Sequence, residues 1–188
     1  MGIEVYSPQL QSKVVALADQ AFGEGYFVKP SEIARTPDTC LHVWTTSDDR
    51  VVGFAYGRLL PQGGLDAFLE GRVADIPADL RSADDEGALG VIQMVAVAPG
   101  NRGKGLGTKL IRSVHDAIVG RGGDKLIVTF KRGPAEGQVD RIMETLGFKP
   151  WVKLETYFKD RCERGEFHCD HRTNGCSCEA IFYRKEVY

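Results

Sequence analysis

Val14, Val15, Leu17, Ala18, Ala21 and Phe22 recur at helical spacing and predict an amphipathic helix over residues 9–22, closed by Gly23 and Gly25. Pro30, Ser31 and Glu32 open a second short helix, which Pro37 limits. Residues 41–45 and 51–59 are β-rich runs on either side of the polar turn 47–50, and read as a hairpin. Residues 61–88 carry Pro61 and Pro77 and have no sustained period, so they are expected to form an insertion or mobile loop with one helical turn at Leu65–Leu69. Val91–Val97 is almost continuously apolar, as in a strand buried on both faces, and Ala98-Pro99-Gly100 stops it. A helix over about 107–120 follows, with Leu110, Ile111, Val114, Ile118 and Val119 on its apolar face. A strand at 125–131, a helix at 137–146, and strands at 148–158 and 180–187 complete the order. That order predicts an α/β (α+β) chain on a mixed sheet, with residues 1–188 as a single domain.

With 43% hydrophobic and 27% charged residues the composition is that of a globular protein. The formal charge of −2 gives no global reason to expect a nucleic-acid or membrane partner. No window approaches 18 apolar residues and no basic leader opens the chain, so a soluble, cytoplasmic protein is expected.

Four of the five cysteines, Cys162, Cys169, Cys176 and Cys178, crowd together near the end, while Cys40 stands alone. In a cytoplasmic chain such a cluster points to thiolate metal ligands more than to disulfides. With His171 there are five soft donors, and four of them complete a tetrahedral Zn²⁺ shell. Four protein ligands leave no open position, so the expected zinc is structural, clipping a loop at residues 159–179 between the last two strands.

The segment VIQMVAVAPGNRGKGLGTKLI sets Arg102, Gly103, Lys104, Gly105, Leu106, Gly107 and Thr108 between a strand and a helix. Such a turn aims several backbone N–H groups and a helix N-terminus at one point, which suits a phosphate. No Lys-Ser/Thr pair sits where a Walker A loop needs it, and Leu110 stands where G-x-G-x-x-G requires its third glycine. Arg102-x-x-Gly105-x-Gly107 does fit the R/Q-x-x-G-x-G/A pattern of the GNAT acetyltransferases. Val95-Ala96-Val97 with Pro99, the Val52-Gly53-Phe54 strand, and Leu146-Gly147-Phe148 extend the resemblance over most of residues 1–158.

The resemblance implies a mixed, mostly antiparallel sheet flanked by helices, and acetyl transfer from acetyl-CoA to an amine on a small molecule or a protein. It implies that backbone groups of Met94, Val95 and Val97 pair with pantetheine, that amides of residues 102–108 hold the pyrophosphate, and that edge strands allow a homodimer. It also exposes two departures: Gln93 stands where many members carry a Glu that serves as a direct or water-mediated base, and Met143 where the general-acid Tyr is usual. Gln93 and Tyr157 are then candidates for the chemistry, with Glu155, Tyr56, Glu86 and His42 as further replacements by residue type, and Tyr26 and Phe27 for the acceptor side. The same departures motivate a rival reading, a catalytically impaired acyl-CoA-binding regulatory module that uses the zinc loop to recognise a partner. Nucleic acid is the weakest of the partners considered.

Overall fold

Seven strands hydrogen-bond in one sheet, in the order β1-β2-β3-β4-β5-β7-β6. The computed structural model describes residues 2–27, 29–132, 138–166 and 179–187. The strands are β1 (Gly2–Val5), β2 (Thr39–Thr45), β3 (Val51–Leu59), β4 (Leu89–Val97), β5 (Lys125–Arg132), β6 (Lys149–Leu154) and β7 (Glu179–Glu186). Every pairing is antiparallel except β4 with β5. The sheet is therefore mixed and mostly antiparallel, as expected.

The helices are α1 (Gln11–Phe22), α2 (Pro30–Ile33), α3 (Leu65–Phe68), α4 (Ala78–Asp85), α5 (Leu106–Val119), α6 (Gln138–Thr145) and α7 (Lys159–Glu163). They cover both faces. On one, α5 and Met143 of α6 pack against Ala55, Leu59, Ile92, Leu126 and Val128. The opposite face carries two clusters, Val14, Leu17, Phe27, Phe54, Tyr56 and Ala96 in one, and Leu60, Leu65, Leu69, Leu80, Val91, Ile127, Tyr157 and Phe182 in the other.

Three glycines let α5 lie close to the sheet. A Cβ on Gly57 would stand 2.7 Å from the Val91 carbonyl oxygen and 2.8 Å from Val114 Cγ1, and one on Gly53 would stand 2.8 Å from Leu110 Cδ1. Gly90 meets Ile118 in the same way. The helix is thereby set down along β3 and β4 with its N-terminus at the end of β4.

Two expectations need correction, and one strand was not expected at all. The stretch 61–88 is a packed unit, with Leu65, Leu69, Leu80 and Ala83 buried and the carboxylate of Asp84, only 2% exposed, accepting from the N–H of Leu65 at 3.0 and 3.2 Å. The strand expected over 148–158 stops at Leu154, and the chain turns into α7. The edge strand β1 had no place in the sequence reading.

Candidate active site

β4 and β5 pair only from Leu89↔Lys125 to Ile92↔Val128. β4 continues to Val97 beside β3, and β5 continues to Arg132 beside β7. From Gln93 onward the two parallel strands are separate, which leaves β4 with one unpaired edge among the described residues. The register with β3 jumps from Tyr56↔Met94 to Gly57↔Ile92, so Gln93 is the extra residue of a β-bulge at the point of separation.

Backbone direction follows from alternation. Ala98 donates its N–H to Val52 O at 2.9 Å, so Ala98, Ala96 and Met94 turn their polar groups toward β3. Val95 and Val97 therefore present theirs to the open edge, where Val97 O already accepts from Arg102 Nε at 3.0 Å. This corrects the expectation for Met94, whose backbone is committed to β3; its side chain packs against the Phe54–Tyr56 cluster.

The open edge leads into the glycine turn. Gly103 and Gly105 both have φ of 75°, a left-handed conformation that a Cβ would strain. Among the described residues no backbone carbonyl accepts from the N–H groups of Gly103, Lys104, Gly105, Leu106, Gly107 or Thr108. Six donors thus gather at the positive end of the 14-residue α5. Arg102 and Lys104 add charge, with Lys104 Nζ donating to Gly100 O at 2.9 Å. Four residue steps at about 3.3 Å each separate Val97 from Gln93. A ligand held by its phosphates at the turn and laid along β4 reaches the bulge with its far end.

At the bulge, Arg58 Nε donates to Gln93 Oε1 at 3.2 Å. Thr129 follows the last paired residue of β5 and shares the face of Ile127, which is also the face of Val91 and of its β3 partner Arg58, the residue bonded to Gln93. Its Oγ1 is buried and has no hydrogen-bond partner among the described residues. A buried hydroxyl at the mouth of a split sheet suits a ligand atom as its missing partner. Neither Arg58 nor Thr129 was legible as a site residue, because each reads as an ordinary strand position until the split is seen.

The other chemical candidates disperse. Met143 is 0% exposed in the α5–α6 core and holds no proton to give. Tyr157 is buried beside Phe182, donates to Phe68 O at 3.4 Å, and has its pKa pushed up to about 12 by burial and then by Glu70. Glu155 and Glu86 are exposed, Glu86 accepting from Ser82 at 3.0 Å. His42 contacts Ser113 of α5 at 2.6 Å on the opposite face; burial, then the charge of Arg121, lowers its pKa. Tyr56 is buried beside Met94, and its pKa is raised by burial. Phe27 stacks on Phe54 in the core, whereas Tyr26 is half-buried, packs against both clusters of its face and lies under Arg161.

Of the metal candidates, Cys162 in α7 is 1% exposed and packs in the apolar cluster of that face. Cys169, His171, Cys176 and Cys178 lie outside the described residues. Among the described residues no group of His, Cys, Asp and Glu is placed to hold a metal.

The fold is shared with solved acetyltransferases. Ard1 from Thermoplasma volcanium superposes with a TM-score of 0.65 at 16% identity, over 99% of this chain and 97% of that one. The phosphinothricin acetyltransferase of Sinorhizobium meliloti, solved with AcCoA, gives 0.63 at 13% identity over 98% and 87%. The ribosomal-protein-alanine N-acetyltransferase of Brucella melitensis gives 0.61 at 14% over the whole of both chains. No curated protein is similar enough in sequence to count as a relative. The model of the acetyltransferase (GNAT) family matches residues 11–148, and the chain belongs to that family.

Proposed function

We propose that the protein transfers acetyl from acetyl-CoA to an amine. The observation that carries this reading is the open edge of β4, which runs from a turn whose six amides have no partner among the described residues to a bulge with Arg58, Gln93 and Thr129 around it. The turn holds the pyrophosphate, Val95 and Val97 hold the pantetheine, and the thioester carbonyl comes to rest near Gln93. A neutral amine attacks that carbonyl, the C–S bond breaks, and the departing thiolate takes up a proton. Gln93 accepts no proton at neutral pH, so its amide orients water or acceptor, while Thr129 Oγ1 offers a hydroxyl to the developing oxyanion. The amine acceptors in the names of the structural neighbours, a ribosomal-protein alanine and phosphinothricin, agree with the class and span both small and protein acceptors.

The rival reading, an acyl-CoA-binding regulatory module, draws on the buried Met143 and on Gln93. Isothermal titration of acetyl-CoA into wild type and Gly105→Glu, with thiol release over an amine panel, separates the two. Binding that the variant loses, together with thiol release, establishes the enzyme. Binding without release favours the module, and wild type that fails to bind acetyl-CoA sinks both.

Three further elements belong to the proposal. Four of the five donors Cys162, Cys169, His171, Cys176 and Cys178 hold a structural Zn²⁺, a reading supported by their number and spacing; one equivalent of zinc by metal analysis is the expected result. A homodimer is supported by the β1 edge, where Val5 is 72% exposed. No helix among the described residues is long and apolar enough to cross a membrane, in keeping with a cytoplasmic location.

A further inference from the structure

We propose that Arg58 anchors a carboxylate of the acceptor, so that the acetylated amine belongs to a small α-amino acid and not to the end of a polypeptide. The proposal rests on the acetyltransferase reading above and names its substrate class.

Arg58 differs from the other partly buried arginines on its face of the sheet. Arg72 contacts Asp160 at 2.9 Å and Glu70 at 3.6 Å, Arg161 contacts Glu166 at 2.9 Å, and Arg184 contacts Asp79 at 3.0 Å. Arg58 is half-buried, yet among the described residues it has no carboxylate within salt-bridge distance. Its one hydrogen bond among the described residues uses Nε and goes to the neutral Gln93 Oε1. Both Nη groups are left over, the pair that grips a carboxylate side-on. A half-buried guanidinium without a counter-charge is costly unless a ligand supplies one.

Its position makes that ligand the acceptor. Arg58 follows Tyr56 and precedes Leu60 on its face, so it stands where the two apolar clusters of that face meet, and Tyr26 packs against both. Gln93, to which it is tied, is the first residue past the last β4–β5 pair, at the reacting end of the cosubstrate groove. Across the opening, the Thr129 hydroxyl, which has no partner among the described residues, adds a polar contact beside the same point. A molecule whose carboxylate sits on Arg58 has its α-amine one carbon away, beside the thioester. A peptide N-terminus brings a neutral amide to that place and leaves the guanidinium unmatched.

The test compares α-amino acids with their own α-carboxamides, titrated calorimetrically into CoA-saturated protein and assayed in parallel for thiol release from acetyl-CoA. Wild type is expected to bind at least one amino acid roughly 10- to 100-fold more tightly than its carboxamide. Arg58→Gln brings that ratio to near one while acetyl-CoA affinity is retained, and Arg58→Lys keeps part of the preference. The wild-type ratio needs no variant, so a folding defect in either substitution does not blunt the result. Equal binding of acid and amide, tighter binding of a short peptide with a free N-terminus, or an undiminished ratio in Arg58→Gln overturns the proposal. Selective binding of an amino acid without thiol release leaves the Arg58 site standing and sinks acetyl transfer. Thiol release to carboxamides alone does the reverse.

Discussion

Ile92 and Val128 form the last pair between β4 and β5, and among the described residues everything beyond them on β4 has a neighbour on one side only. The alternation along that strand can be read directly. Val95 and Val97 face the open edge, while Ala96 faces β3. In hydrogen exchange resolved to single amides, Val95 and Val97 are expected to exchange fast without ligand and to become protected by acetyl-CoA, with Ala96 slow in both states. Protection of Ala96 but not its neighbours would refute the assigned direction.

The glycines beneath α5 predict a contrast. Gly57→Ala drives a methyl against the Val91 carbonyl and Val114, and should cost about 1–3 kcal/mol in urea unfolding, with weaker acetyl-CoA binding because the helix start shifts. Gly107→Ala, whose new Cβ meets only Val97 Cγ2 at 3.7 Å, should leave stability unchanged or raise it by about 0.5–1 kcal/mol. Equal losses at both positions would contradict this account of how α5 is seated.

Asp84 ties the excursion between β3 and β4 together. Its replacement by Ala leaves the buried N–H of Leu65 without an acceptor, and a loss of about 1–3 kcal/mol is expected. Asp84→Asn keeps an acceptor oxygen and should lose less. Proteolysis within residues 61–88 should rise in the order wild type, Asn, Ala; an unchanged Ala variant would mean the carboxylate is not the fastener.

His42 supplies a pH dependence. Burial, then the positive charge of Arg121, holds its folded pKa below the ordinary value of 6.5. The unfolded chain therefore takes up its proton at a higher pH than the folded one. This contribution to stability is complete above pH 6.5 and is lost as pH falls through the folded pKa. Urea midpoints for wild type should fall between pH 7.5 and 5.5, and His42→Asn should show a shallower fall.

The sequence carried the glycine turn and the helix after it plainly, because a loop that binds through its backbone must be written in glycine, and because Leu106, Leu110, Ile111, Val114 and Ile118 keep one face of α5 apolar. It concealed what lies between β3 and β4. Leu65 and Leu69 in a single turn, and Leu80 and Ala83 in an eight-residue helix, are too few for a period to show. The bulge at Gln93 has no local signature, since an extra residue becomes visible only against a partner strand. Arg58 and Thr129 gain their meaning from the same comparison.

A sheet with an open seam is also an unfinished sheet. If acetyl-CoA lies along Val95 and Val97 as proposed, the backbone bonds missing from the β4 edge are supplied by a metabolite. Anything that binds the native state alone adds stability in proportion to the logarithm of its concentration, about 2.7 kcal/mol at a hundred times its dissociation constant. The margin by which the chain stays folded then follows the supply of acetyl-CoA, and is narrowest when that thioester is scarce.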